Sequence, residues 1–148
     1  MTLEKKVLFI CSANYNRSVM AEAIYNHLSK SQKAHSAAVY DYGIVGWDTS
    51  NYVKQVLAEK GITLQEHKVR LWGMPMIEQA KGIYILTQDI SEELNKALEQ
   101  CASKVKQWDI PDPQGTYDIE KYREARDVLW EKIASEMQKE RYKVRKSK

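Results

Sequence analysis

Cysteine is scarce in this chain: Cys11 and Cys101 are the only two, ninety positions apart. No disulfide framework can be built from them, which favours a reducing, cytoplasmic setting. No apolar run approaches the length that spans a bilayer, so no membrane partner is expected. Charged Glu4-Lys5-Lys6 precedes only a short apolar run, so no signal peptide is expected. Repeats and low-complexity linkers are missing as well, which leaves one domain over residues 1–138. Excess charge is also missing from that body. The net charge is +3, but Lys139–Lys148 carries six basic residues and one acidic one, leaving −2 for the rest. We therefore read 139–148 as a basic, solvated C-terminal tail rather than a nucleic-acid-binding arm. What remains is an ordinary globular composition, 43% hydrophobic and 29% charged over 148 residues, enough for a genuine core.

The chain is organised around Lys6–Ser18, KVLFICSANYNRS. Val7-Leu8-Phe9-Ile10 reads as a short buried strand, and Met20, Ile24 and Leu28 then share one face of a helix. Between them lie Cys11, the loop Ser12-Ala13-Asn14-Tyr15-Asn16, and Arg17-Ser18. No Gly-Lys-Ser/Thr follows the strand, so this is not a Walker loop. A loop between strand end and helix start can instead curl its amides around one anion, helped by the helix N-terminus. Arg17 adds a planar fork matched to two phosphoryl oxygens. The same positive field favours the thiolate of Cys11, the form that attacks. Cys-x5-Arg alone is a weak signal, and a cysteine ending a buried strand is more often packing. The order strand, cysteine, polar loop, Arg-Ser, helix is what gives it weight.

Further along, Ala37–Tyr42 reads as a second strand, followed by a loop with Gly43, Gly46 and Trp47. Ser50 is a candidate N-cap, Gly61 a left-handed stop, and Pro75 a first-turn residue of a short helix. Ile83–Leu86 reads as a third strand, Ser91–Cys101 as a helix, and Lys104–Trp108 as a weaker fourth strand. Asp118–Gln138 reads as the closing helix, burying Ile119, Tyr122, Leu129, Ile133 and Met137. Short apolar strands alternating with helices predict an α/β fold, a four-stranded parallel sheet with helices on both faces. Ligands of such sheets bind at the carboxyl ends of the strands, where Cys11, Trp47 and Asp112 all fall. Asp112 is bracketed by Pro111 and Pro113, which fix where its carboxylate points. One carboxyl could protonate a leaving oxygen and later deprotonate water, although Asp-Pro is also ordinary turn chemistry. Tyr15 and Trp47 are placed to wall a slot for a flat ring, with core packing the alternative for Tyr15.

VLFICSANYNRSVMAEA resembles the amino-terminal signature of the low-molecular-weight protein tyrosine phosphatases, whose fold thioredoxin-coupled arsenate reductases share. The resemblance runs from Val7 to about Met137 and implies a Rossmann-like three-layer phosphatase fold. The usual motif is Cys-x-Gly-Asn-x-Cys-Arg-Ser. Cys11, Asn14, Arg17 and Ser18 match it, Ala13 stands for the glycine, and Asn16 replaces the second cysteine. Some members protect the nucleophile by a disulfide to that cysteine, which this chain lacks. The resemblance implies that Cys11 is the nucleophile and Arg17 the phosphate clamp, with Ser12, Ala13, Asn14, Tyr15 and Asn16 forming the cradle. It implies that Ser18 donates a hydrogen bond to the thiolate, although a helix cap is the plain alternative. Asp112 would be the general acid, and Trp47 a wall of the slot. Members often carry aromatics after Asp-Pro; here Gln114-Gly115 follows, and Tyr117 is the candidate replacement. His67, in His67-Lys68-Val69-Arg70, would brace Asn14 from behind. The serine that commonly joins that brace has Asp41 or Tyr42 near its place.

These readings converge on a phosphatase that hydrolyses tyrosine-phosphorylated proteins or peptides through a cysteinyl-phosphate, needing no metal and no cofactor. Phosphate and other oxyanions would occupy the same loop. Arsenate reduction is the first alternative, but Leu86-Thr87-Gln88-Asp89 holds none of the cysteines it relays through. The second is a non-catalytic reader of phosphoproteins, which has no use for an acid at Asp112.

Overall fold

The structure, a computed structural model, describes residues 5–31, 33–64, 66–115 and 117–146. Among them the strands and α-helices are, in order, β1 (Val7–Cys11), α1 (Arg17–Ser29), β2 (Ala34–Ala38), α2 (Asn51–Ala58), α3 (Met74–Gln79), β3 (Gly82–Ile85), α4 (Glu92–Glu99), β4 (Val105–Gln107) and α5 (Ile119–Lys146). The four strands form one parallel sheet in the order β2-β1-β3-β4.

Strand alternation divides the core in two. Val7, Phe9 and Cys11 face one way, onto α1, α2 and α5, while Leu8 and Ile10 face α3 and α4. This three-layer arrangement matches the expected fold. Phe9, the only phenylalanine, lies at the centre of the first layer, its ring 5.2 Å from Tyr84 and 6.0 Å from Tyr25. β1 is central, and the chain runs outward from it to β2 on one side and through β3 to β4 on the other. Its carboxyl end is therefore the switch point at which such sheets open a crevice. Cys11 sits there.

Local signals hold at most helix ends. The Ser50 hydroxyl accepts from the Tyr52 amide, the Ser91 hydroxyl accepts from the Leu94 amide, Pro75 lies in the first turn of α3, and Gly61 has φ +76°. Two expectations need correction. The second strand lies at Ala34–Ala38, not Ala37–Tyr42. Its ladder with β1 starts at Val7–Ala34 and ends at Cys11–Ala38, so the apolar residues that follow accompany the loop instead. The closing helix does not stop at Gln138 but continues to Lys146. Beyond Arg141 the side chains of the expected basic tail lie outside the described residues. Among the described residues, no helix is long and apolar enough to cross a membrane.

Candidate active site

The loop after β1 turns on Asn14, which is fully buried with φ +55°, in the left-handed region that asparagine tolerates better than most residues. Every polar atom of its side chain is used. Nδ2 donates to Ser18 Oγ at 2.8 Å and to Ser36 Oγ at 2.9 Å. Oδ1 accepts from the Arg70 amide at 3.1 Å and lies 3.1 Å from His67 Nε2. An amide oxygen only accepts, so His67 carries its proton on Nε2. Such saturation holds a loop in one conformation. Ala13, in the place of the motif's glycine, keeps φ negative. Among the described residues, the amides of Ala13, Asn14, Tyr15 and Asn16 donate to no backbone carbonyl, so the loop presents free N–H groups.

The serine of this brace is Ser36, not a residue near Asp41 or Tyr42. It lies mid-strand on β2, fully buried, and donates in turn to Glu22 Oε1 at 2.9 Å. Burial pushes Glu22 above the usual carboxylate range, with Arg70 and Ser36 opposing the shift. His67 is pushed down to about 4, first by burial and then by Arg70. A stability consequence follows. The unfolded chain takes up this proton near the ordinary value of about 6.5, while the folded chain resists until about 4. Stability is therefore full above pH 6.5 and falls as the pH drops toward 4, by up to about 3 kcal/mol. Urea midpoints measured across that range should show the slope, and His67→Gln, which keeps a donor but cannot titrate, should flatten it. Equal slopes in both proteins would show that the ring does not titrate as described.

Cys11 Sγ is buried, 3.0 Å from Ser18 Oγ. Because Ser18 Oγ already accepts from Asn14 Nδ2, its own proton can turn to the sulfur. Ser18 is inside α1 and does not cap it; Asn16 occupies the cap position. Arg17, the first helical residue, is buried with its guanidinium spread across the loop floor. Nη1 donates to the Leu86 carbonyl at 2.7 Å, and Nη2 reaches Asp112 Oδ2 at 3.3 Å. Asp112 Oδ1 accepts from the Gln114 amide at 3.0 Å. Arg17 thus links the end of β3, the loop and Asp112 at one point.

A cleft of about 770 Å³ descends to this floor. Tyr15, Tyr42 and Trp47 stand along it, with Asp89 and Asp112 at its sides. Trp47 lines the cleft, half exposed, on a loop whose Gly43 and Gly46 take positive φ. Tyr15 also lines it rather than the core. Tyr42, not singled out from sequence as a wall, is the further aromatic. Its hydroxyl titrates above its ordinary value, first from partial burial and then from the negative charge of Asp89 and Asp112. Tyr117 is 92% exposed and makes no wall. Thr87, whose hydroxyl lies 2.9 Å from Ser12 Oγ, pins the loop from the β3 side. Only the fold could bring it there. Cys101, by contrast, lies after α4 near the start of β4, at the other end of the sheet. Among the described residues, no cluster of three or more His, Cys, Asp or Glu could hold a metal ion.

A sequence model of the low molecular weight phosphotyrosine protein phosphatases matches residues 6–146. The chain belongs to that family. Among solved structures, this phosphatase is similar to the YwlE arginine phosphatase from Geobacillus stearothermophilus, with 29% identity over 95% of this chain and 97% of that one and a TM-score of 0.76. It is also similar to the low molecular weight protein tyrosine phosphatase from T. tengcongensis, with 25% identity over 92% and 99% and a TM-score of 0.78. A protein tyrosine phosphatase from Entamoeba histolytica, with Hepes in its active site, shares the fold at 20% identity, 94% and 98% coverage and a TM-score of 0.81. No curated protein matches this phosphatase in sequence.

Proposed function

We propose that this phosphatase hydrolyses phosphotyrosine in proteins or peptides through a cysteinyl-phosphate on Cys11. The observation that carries the reading is the Arg17 guanidinium, bonded at rest to the Leu86 carbonyl and to Asp112 and lining the same cleft as Cys11. A phosphoryl dianion would replace Asp112 as the partner of Arg17, its oxygens taken by that fork and the loop amides. With an anion in the cradle, a proton on Asp112 avoids two facing negative charges. The thiolate then attacks phosphorus: the S–P bond forms, the P–O bond breaks, and Asp112 gives its proton to the leaving phenolate. In the second step the Asp112 carboxylate takes a proton from water, whose oxygen attacks phosphorus. The S–P bond breaks and phosphate leaves with the thiolate restored.

The depth of the cleft supports an aryl ester over phosphoserine. Cys11 is 3% exposed in a cleft with three aromatic walls, a setting that fits a long, flat phenyl ester better than the short side chain of phosphoserine. One observation favours a second reading, phosphoarginine. The three rim loops 39–50, 87–91 and 108–118 hold six acidic residues and no Lys or Arg, a setting that suits a guanidinium as well as a ring. Matched peptides carrying phosphotyrosine, phosphoserine or phosphoarginine separate these readings by phosphate release. Phosphotyrosine is expected to lead in kcat/KM by more than about tenfold, one step of 1.4 kcal/mol. Basic neighbours should improve it at low salt and lose that advantage at high salt. A tenfold lead for phosphoarginine would replace our assignment.

A further inference from the structure

We propose that Gln114 and Asn16 form a latch that positions the Asp112 carboxyl for proton transfer, an inference that rests on the acid role given to Asp112 above. Asn16 Nδ2 donates to Gln114 Oε1 at 2.9 Å, tying the phosphate loop to a residue 98 positions later. Gln114 also touches the acid directly, through its amide, which donates to Asp112 Oδ1 at 3.0 Å. The line Asn16–Gln114–Asp112 therefore runs from the cradle to the carboxyl through one residue.

Two consequences follow from its chemistry. At rest both carboxyl oxygens accept an N–H, Oδ1 from the Gln114 backbone amide and Oδ2 from Arg17, and once a phosphoryl group takes the guanidinium Oδ1 keeps its donor, which leaves Oδ2 to carry the proton. The latch also outlasts the resting state. Arg17 holds Asp112 only until a phosphoryl group takes the guanidinium, and at that moment the carboxyl loses one of its two fixed partners. Asp112, Gln114 and Gly115 are all exposed, and Tyr117 turns to solvent, so no aromatic packing at these residues replaces it. The bond to Asn16 involves no group that must contact the phosphoryl oxygens and so persists through both chemical steps.

Asn16 itself argues for a positioning role. It is 4% exposed, and its Oδ1 is buried with no partner among the described residues. A side chain kept only for packing does not leave a buried carbonyl unpaired. What Asn16 supplies is the donor on its other atom.

Gln114→Met fills a similar volume but cannot accept from Asn16. Single-turnover phosphotyrosine cleavage by this variant is expected to slow about fivefold to twentyfold, as for a misplaced catalytic group. The nitrophenol burst from nitrophenyl phosphate, which needs little acid, should change less than about twofold, and vanadate inhibition likewise. Asn16→Ala combined with Gln114→Met should be no more dependent on the leaving group than Asn16→Ala alone, because the two residues act as one unit. Equal slowing of both esters by Gln114→Met, or no slowing of either, overturns the latch. If Asp112→Asn itself shows no leaving-group dependence, the acid assignment falls and the latch falls with it. If Asp112→Asn shows that dependence and Gln114→Met does not, the latch alone is refuted.

Discussion

Cys11→Ser is expected to abolish turnover, by about 10⁵–10⁶-fold, the scale seen when an enzymatic nucleophile is removed. A thiolate attacks without help, but an alcohol must lose its proton as it attacks. Among the described residues, nothing beside Cys11 is arranged to take that proton. The neighbour of Sγ is the Ser18 hydroxyl at 3.0 Å, itself an alcohol. The nearby histidine, His67, faces Asn14, and its Nε2 hydrogen is committed there. Binding should survive, because Arg17 and the loop amides are untouched and the sulfur's negative charge no longer opposes an incoming anion. Calorimetry with vanadate should therefore give a Kd no weaker than that of the unaltered protein, while acid quenching after exposure to phosphotyrosine should trap no phosphocysteine. Activity within tenfold of the unaltered protein would rule out the covalent route through Cys11.

Much of this site was legible because its parts are local. β1, the loop and the start of α1 are one continuous stretch, and Cys11, Asn14, Arg17 and Ser18 stand at motif spacing within it. Failures occurred where a residue acts through tertiary pairing. β2 was displaced because His35 and Ser36 make its sequence polar, while the more apolar Val39 and Tyr40 follow it. Only the ladder to β1 shows that Ser36 is in the sheet, and with the strand misplaced the serine of the Asn14 brace was lost too. Tyr117 is near Asp112 in sequence, yet the turn at Gln114-Gly115 leaves it in water and Tyr42 supplies the ring from across the cleft. The apolar period of α5 fades after Met137, which hides its last turns in the sequence, although the Lys, Glu and Arg that follow are good helix formers. Two departures from the family pattern, Asn16 and Gln114, are each legible on their own. Their contact could not, since 98 positions separate them.

Asp112→Asn tests the other half of the chemistry. An acid matters only as much as the leaving oxygen needs its proton. Tyrosine's phenolate, with a pKa of about 10, leaves poorly unaided, whereas a nitrophenolate leaves readily. The substitution should slow phosphotyrosine cleavage by roughly 10²–10⁴-fold, the usual contribution of a placed acid. The nitrophenol burst should be far less affected. Steady-state turnover falls for both esters, because the same carboxylate activates water against the phosphoenzyme. Loss of the Arg17 pair is not expected to unfold the protein: the Asp112 side chain is 46% exposed, and such pairs contribute at most about 1 kcal/mol. Asp109→Asn is the matched control. It lies in the same loop, but its carboxylate accepts from Gln88 Nε2 at 3.1 Å on the exposed rim, away from Arg17. Burst and steady-state rates for phosphotyrosine and nitrophenyl phosphate, measured in both variants, separate the two aspartates. A leaving-group dependence that appeared in Asp109→Asn and not in Asp112→Asn would move the acid to the rim, where among the described residues its carboxylate is held by Gln88 and not by the loop that holds Cys11.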